Sequence, residues 1–314
     1  MTDAARIGIG LAAVGRPAYI NAGRAHDIGA RRGVEDLRAR TEAVLDAAYA
    51  AGIRYLDAAR SYGRAEEFLA GWLSTHPEID DVEVGSKWGY RYVGDWRLDV
   101  ATHEIKDHSA AAFAEQSAQT LALLGSRLAV YHVHSATLDS GVLDDREVHR
   151  ALATLRERGV RIGISTSGPA QAEAVRRALP VSVAGRPLFT SYQTTWNLLE
   201  PSAGPALAEA HAAGARVIVK EAVANGRLAP GGQDGDSARR VAAVATELGL
   251  PVDRLAIAAA LAQPWASVVL SGAVDAQQLA SNVAAVAVTV PADLPDLAEP
   301  AERYWAQRSA RSWG

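Results

Sequence analysis

The chain has 314 residues, enough for a complete α/β barrel of about 250 residues with additions, and it reads as one domain over 1–314. With 49% hydrophobic and 22% charged residues it is globular in composition, and a formal net charge of −4 offers no basic field to nucleic acid or an anionic membrane. Small molecules are the expected partners, and the absence of cysteine excludes disulfides, thiolate metal sites and a Cys nucleophile.

From the N-terminus, MTDAARIGIG lacks the basic and apolar regions of a secretory signal, and no apolar run approaches the roughly 20 residues of a membrane helix. A cytoplasmic protein without membrane association is expected. Short apolar or β-branched runs then alternate with alanine-rich segments of helical period. Strands are predicted at 6–10, 54–57, 82–86, 129–133, 161–165, 188–193, 216–219 and 268–271. Helices are predicted at 37–51, 65–73, 110–124, 147–158, 170–179, 202–213 and 275–286, with extra ones at 250–262 and 294–306. Gly52, Gly159 and Gly214 end helices before strands, and Pro251 suits the first position of a helix.

Eight strand–helix units without a G-x-G-x-x-G after an early strand indicate an α/β fold of the closed (β/α)8 type, a TIM barrel. The extra helix before the last strand and the C-terminal helix are additions to it. Segments 21–33 and 90–108 read as long loops that shape a pocket, and the Gly- and Asp-rich 229–236 as either a mobile cover or disordered chain.

In such a barrel the active site lies at the C-terminal ends of the strands, where the polar residues of this sequence concentrate. Asp57 closes the second strand in Tyr-Leu-Asp-Ala-Ala-Arg-Ser-Tyr-Gly, with Tyr62 five residues on; Lys87 follows the third and His134 closes the fourth. Asp57 can hold Lys87 charged, Lys87 can lower the pKa of Tyr62, and His134 can position a carbonyl oxygen, which together make a proton-transfer site. His132 shares the strand face of His134 and is read as structural.

The whole set resembles the aldo-keto reductase superfamily over about residues 6 to 282. The tetrad Asp57, Tyr62, Lys87 and His134 carries the resemblance, with Gly163-Ile-Ser-Thr166 and Gln193-Thr-Thr-Trp-Asn-Leu-Leu199 as further matches. A sugar-dehydrogenase-like bacterial subgroup is suggested by Tyr131-His-Val-His-Ser135. The resemblance implies that Ser165, Thr166 and Gln193 hold the nicotinamide carboxamide and that Trp196 stacks on its ring. It also implies that the loop of Lys220, Gly226 and Leu228 cups the pyrophosphate, and that Gly272, Gln278 and Asn282 hold the adenosine end. Lys220-Glu221 departs from the family's Ser-Pro in that loop, and no Lys or Arg follows the eighth strand to grip a 2′-phosphate. Family habit implies NADPH, with NADH as the alternative. Trp88, Tyr90 and Trp96, with Tyr19, are expected to line the substrate pocket.

The implied activity is hydride transfer between a nicotinamide cofactor and an aldehyde, ketone or the corresponding alcohol, with Tyr62 as general acid or base. The alternatives are an NAD(P)-dependent sugar dehydrogenase working mainly in oxidation and a non-catalytic cofactor-binding regulatory subunit, against which the intact tetrad argues. A metal-dependent barrel enzyme would need ligands from His103, Glu104, Asp107, His132 and His134, which show no ligand spacing, and no metal is expected.

Overall fold

In the computed structural model, which describes residues 3–19, 27, 29–232 and 234–311, the alternation of strands and helices closes on itself. Strands run at Ile7–Gly10 (β1), Tyr55–Asp57 (β2), Glu83–Trp88 (β3), Tyr90–Tyr92 (β4), Glu104–Lys106 (β5), Leu128–Val133 (β6), Arg161–Ser165 (β7), Ser182–Val183 (β8), Arg186–Pro187 (β9), Ser191–Thr195 (β10), Arg216–Lys220 (β11) and Val268–Ser271 (β12). Helices run at Val34–Ala50 (α1), Ala65–Thr75 (α2), Ala110–Leu124 (α3), Arg146–Glu157 (α4), Gln171–Ala178 (α5), Gly204–Ala212 (α6), Asp236–Glu247 (α7), Val252–Leu261 (α8), Ala276–Val283 (α9) and Ala301–Ser309 (α10). The barrel order is β1-β12-β11-β10-β7-β6-β3-β2, every pair parallel, so the fold is a TIM barrel. β4 pairs with β5 and β8 with β9 as antiparallel hairpins outside it.

Local chemistry fixes the helix ends. Ser109 caps α3 by accepting from the Ala112 amide, and Asp145 caps α4 by accepting from those of Glu147 and Val148. Gly52, Gly159 and Gly214 turn the chain at φ of 90°, 90° and 84°, as a helix C′ position requires.

Because successive strand side chains point to opposite sides, one parity of each barrel strand enters the lumen and the other meets the helices. The lower lumen is filled by Tyr55, Val130, Ile218, Val268 and Leu270. Above them His132, fully buried, shares a 2.9 Å hydrogen bond with Ser191 Oγ. It fits there because Gly163 has no side chain: a Cβ would stand 2.6 Å from the His132 ring and 2.2 Å from the Ser191 carbonyl oxygen. The larger apolar cluster lies between the strands and the helix ring.

Several elements differ from the sequence expectation for identifiable reasons. The sixth barrel strand is Ser191–Thr195 rather than 188–193; Leu188 and Phe189 are core residues of the approach, and the buried Thr194 and Thr195 continue the ladder with β11. Pro251 is the N-cap of α8, at φ −60° and ψ 143°, not its first turn. The last helix begins at Ala301 after Pro300 at its N-cap, instead of near 294. α7, absent from the expectation, begins at the last residue of the 229–236 segment, whose described part turns through hydrogen bonds from Gly232 to Ala229 and from Asp234 to Gly232. In the expected 21–33 loop, residues 21–26 and 28 lie outside the described residues, whereas 90–108 contains the β4–β5 hairpin. No helix among the described residues is long and apolar enough to cross a membrane.

The segment that leads into α10 is tied to the barrel mouth by a buried ion pair. Arg227, in the loop after β11, donates to both carboxylate oxygens of Glu299 (2.9 and 2.6 Å), with the two side chains 2% and 4% exposed. Removing one partner strands a buried charge, so Glu299→Ala is expected to lower unfolding free energy in urea by about 3–5 kcal/mol. A loss under about 1 kcal/mol would show that the pair does not hold this region.

Candidate active site

The polar strand ends converge on one cavity of about 380 Å³, within the range of small-ligand sites. At its floor Lys87 Nζ, fully buried, donates to Asp57 Oδ2 at 2.5 Å and to the Ala58 carbonyl at 2.8 Å. Gln193 Nε2 donates to the other carboxylate oxygen at 2.8 Å. Tyr62, carried on the turn between β2 and α2, lies with its ring centroid 4.8 Å from Lys87 Nζ and edge-on to the His134 ring at 5.5 Å. His134 is fixed by its own amide on the Trp88 carbonyl and by Ser61 Oγ, 3.3 Å from Nδ1. The four tetrad residues are thus assembled, three of them on the cavity wall and Lys87 behind Asp57.

The electrostatics differ from the expectation at one point. Burial first, and then the Asp57 charge, push the Tyr62 phenol well above its ordinary 10.0, and the largest opposing influence is the Arg16 cation rather than Lys87. The Lys87 charge is directed at Asp57. Burial also holds His134 well below its ordinary 6.5, reinforced by Lys87, Lys220 and Arg16, so the imidazole is neutral. The resting site therefore presents a protonated phenol beside an uncharged imidazole.

The other expected site residues divide. Gln193, Lys220, Gly226, Gly272, Gln278, Asn282, Tyr90 and Tyr19 line the cavity. Tyr90 stands edge-on to His134 at 5.1 Å. Lys220 Nζ donates to Thr195 Oγ1 at 2.7 Å and lies 3.4 Å from Glu221, so it already has partners within the wall. Ser165, Thr166, Trp196, Leu228, Trp88 and Trp96 do not line it. Ser165 Oγ accepts from the Ser135 amide, and Thr166 Oγ1 donates to Thr194 Oγ1. Trp196 packs edge-on to Trp265 at 5.8 Å, Trp88 against Phe113 at 5.0 Å, and Leu228 within the α7–α8–α10 cluster. Trp96 lies against Phe68, with its indole nitrogen donating to the Arg32 carbonyl. The cause for both Trp88 and Trp196 is strand parity: Lys87 and Thr195 face the lumen, so the next residue faces the helices.

Sequence reasoning missed Arg16, Asn225, Asp253 and Arg308 and weighed Glu104 only as a metal ligand; all five are on the cavity wall. Arg16 donates to the Ser61 carbonyl and to Glu104, which the β4–β5 hairpin delivers, and its guanidinium lies 5.6 Å from the Tyr62 ring centroid. Arg308 grips both oxygens of Glu221 at 2.6 and 3.0 Å. Burial works against the Glu221 charge, yet Arg308 and Lys220 outweigh it and hold that carboxyl at about 2. These contacts join segments far apart in sequence and leave no local signal, although Asp253, in the first turn of a helix, was visible as an acid. Among the described residues no group of three or more His, Asp or Glu could hold a metal ion.

A model of the aldo/keto reductase family matches residues 7–296. An assigned aldo-keto reductase from Pseudomonas aeruginosa is similar in structure, with a TM-score of 0.62 over 90% of each chain at 24% identity. An aldo-keto reductase from Bacillus halodurans, solved in its holo form, gives 0.64 at 21% identity, covering 96% of this chain and 91% of the other. No curated protein matches the sequence.

His132 and His134 both resist protonation in the folded chain, chiefly through burial. The unfolded chain takes up these protons near the ordinary 6.5, so the stabilising difference is present above that value and is lost as pH falls below it. Unfolding free energy should therefore drop on acidification from neutral to about pH 5, by up to about 1.4 kcal/mol per pH unit for each imidazole. Stability that is flat over this range would contradict the neutral assignment.

Proposed function

The chain belongs to the aldo/keto reductase family of NAD(P)-dependent oxidoreductases, and we propose that it exchanges a hydride between a nicotinamide dinucleotide and an aldehyde, ketone or corresponding alcohol, with Tyr62 moving the proton. The observation that carries this reading is the buried Asp57–Lys87 pair lying under Tyr62 and beside His134 at the floor of one cavity.

Each residue has a task that its surroundings suit. Tyr62, held protonated by its enclosure, donates its phenolic proton to the substrate oxygen as an alkoxide develops. Lys87 at 4.8 Å and Arg16 at 5.6 Å from its ring stabilise the phenolate that remains. Neutral His134 orients the substrate oxygen, and Tyr90 beside it forms one wall for the substrate. In the oxidative direction the same groups take the proton back.

A dinucleotide fits the rest of the cavity, which runs from Tyr62 past Lys220 and Gly226 to Gly272, Gln278 and Asn282. Two wall residues there, Asn225 and Asp253, have buried side-chain oxygens without a hydrogen-bond partner, as expected of a surface that awaits donors from a ligand. When bound, the dinucleotide supplies or accepts the hydride. Ser165, Thr166 and Trp196, enclosed in the wall, support the site from behind rather than by direct contact.

Nicotinamide fluorescence should report binding of NADH or NADPH, and Tyr62→Phe should lower carbonyl turnover by about 10²- to 10⁴-fold while leaving the dinucleotide Kd within about twofold. Comparable loss of binding and turnover would remove Tyr62 from the proton-transfer role. Failure to bind either dinucleotide would overturn the oxidoreductase reading.

A further inference from the structure

We propose that the rim of the cavity formed by Asn225, Asp253, Gln278 and Asn282 reads an unphosphorylated adenosine ribose, so that this chain prefers NADH to NADPH. The inference rests on the dinucleotide reading above and reverses the family's habit of NADPH.

Asp253 lies in the first turn of α8, 5% exposed and on the cavity wall. Its Oδ2 is occupied: with the Asn282 amide in the orientation that satisfies every neighbour, Asn282 Nδ2 donates to Asp253 Oδ2 (3.1 Å) and to the Gln278 carbonyl (3.2 Å), while its oxygen accepts from Ser271 Oγ (2.8 Å). Oδ1 has no partner, and the side-chain oxygen of Asn225, 8% exposed on the same wall, also has none. Two buried acceptors on one cavity wall cost free energy until a donor arrives.

Ligand chemistry then discriminates. The ribose hydroxyls and the adenine amino group of NADH are donors, and a carboxylate receiving a ribose hydroxyl is the arrangement that selects the unphosphorylated nucleotide in Rossmann sites. A 2′-phosphate brings oxygens that mainly accept and nearly two negative charges. Here it would meet Asp253 and Asp27, the latter accepting from Gln278 Nε2 at 3.2 Å. Among the described residues no Lys or Arg lines this rim. Toward the tetrad, Arg16 is held on Glu104, Lys220 on Thr195 and Arg308 on Glu221, and Arg40 donates to the Val274 carbonyl at 3.4 Å without lining the cavity.

Direct titration of the full chain with NADH and with NADPH, read by nicotinamide fluorescence, tests the proposal. NADH should bind roughly tenfold tighter or better. Asp253→Asn, checked for folding by circular dichroism, should shrink that ratio by roughly tenfold, and Gln278→Arg should shrink it by raising NADPH affinity. NADPH binding as tightly as NADH to the wild type would overturn the proposal while leaving the oxidoreductase reading intact. So would a ratio unchanged in both variants, or a selective loss of NADPH binding in Arg40→Ala. Binding of neither dinucleotide to the wild type would overturn both readings together.

Discussion

The site depends on the ion pair of Lys87 and Asp57. Removing an ammonium and a carboxylate from water costs several kcal/mol each, and only good geometry with further hydrogen bonds offsets that. Here Gln193 occupies the second carboxylate oxygen and the Ala58 carbonyl a second ammonium donor. With Gln193 the pair therefore joins the neighbouring strands β2 and β3 to β10 across the lumen, and it marks the level at which apolar filling stops. Below it lie Tyr55 and Leu270; above it the lumen opens on Tyr62 and His134. A barrel that lost this pair would have to collapse or hydrate its own mouth, so the fold and the proton-transfer site share one constraint.

The barrel and the tetrad were legible because both are written locally. Alternating apolar periods mark the strands, and Asp57, Tyr62, Lys87 and His134 sit at or just past the ends of three of them, where a barrel collects its chemistry. Trp88 and Trp196 lie away from the cavity for an equally local reason. Trp88 follows lumen-facing Lys87 and Trp196 follows lumen-facing Thr195, so a period of two sends both indoles to the helices. The same period of two that puts His132 and His134 on one strand face is readable in the sequence at both tryptophans. Tyr90 reaches the cavity because β3 has ended and the β4–β5 hairpin turns back across the mouth.

What was not legible is the pairing of charges across the chain. Arg16 meets Glu104 because a hairpin after β3 folds over the loop after β1, and Arg308 meets Glu221 because α10 returns to the seventh strand. Those pairs change the chemistry of the mouth. Arg16, not Lys87, is the main cation acting on the resting Tyr62, and the Glu221 carboxylate is already balanced by Arg308 and Lys220 before any ligand arrives. Spacing within a motif carries no information about partners 87 or 88 residues away.

The Glu221 arrangement also explains why a C-terminal helix outside the barrel belongs to the site. After β11 the chain enters the left-handed region at Glu221, Ala224 and Asn225, with φ of 58°, 50° and 53°, before Gly226 at 92°. Each non-glycine residue there costs about 1 kcal/mol or more, and such a turn persists only where the surroundings over-determine it. They do so from α10 and from the loop after β10. Arg308 clamps the Glu221 carboxylate, and Asn197 Nδ2 donates both to the Glu221 carbonyl and to the Tyr304 hydroxyl. The strained turn in return carries Asn225 to the rim with its oxygen unpaired. The polarity of the cavity follows: cations with their counter-charges toward the tetrad, and unpaired acceptors toward the rim.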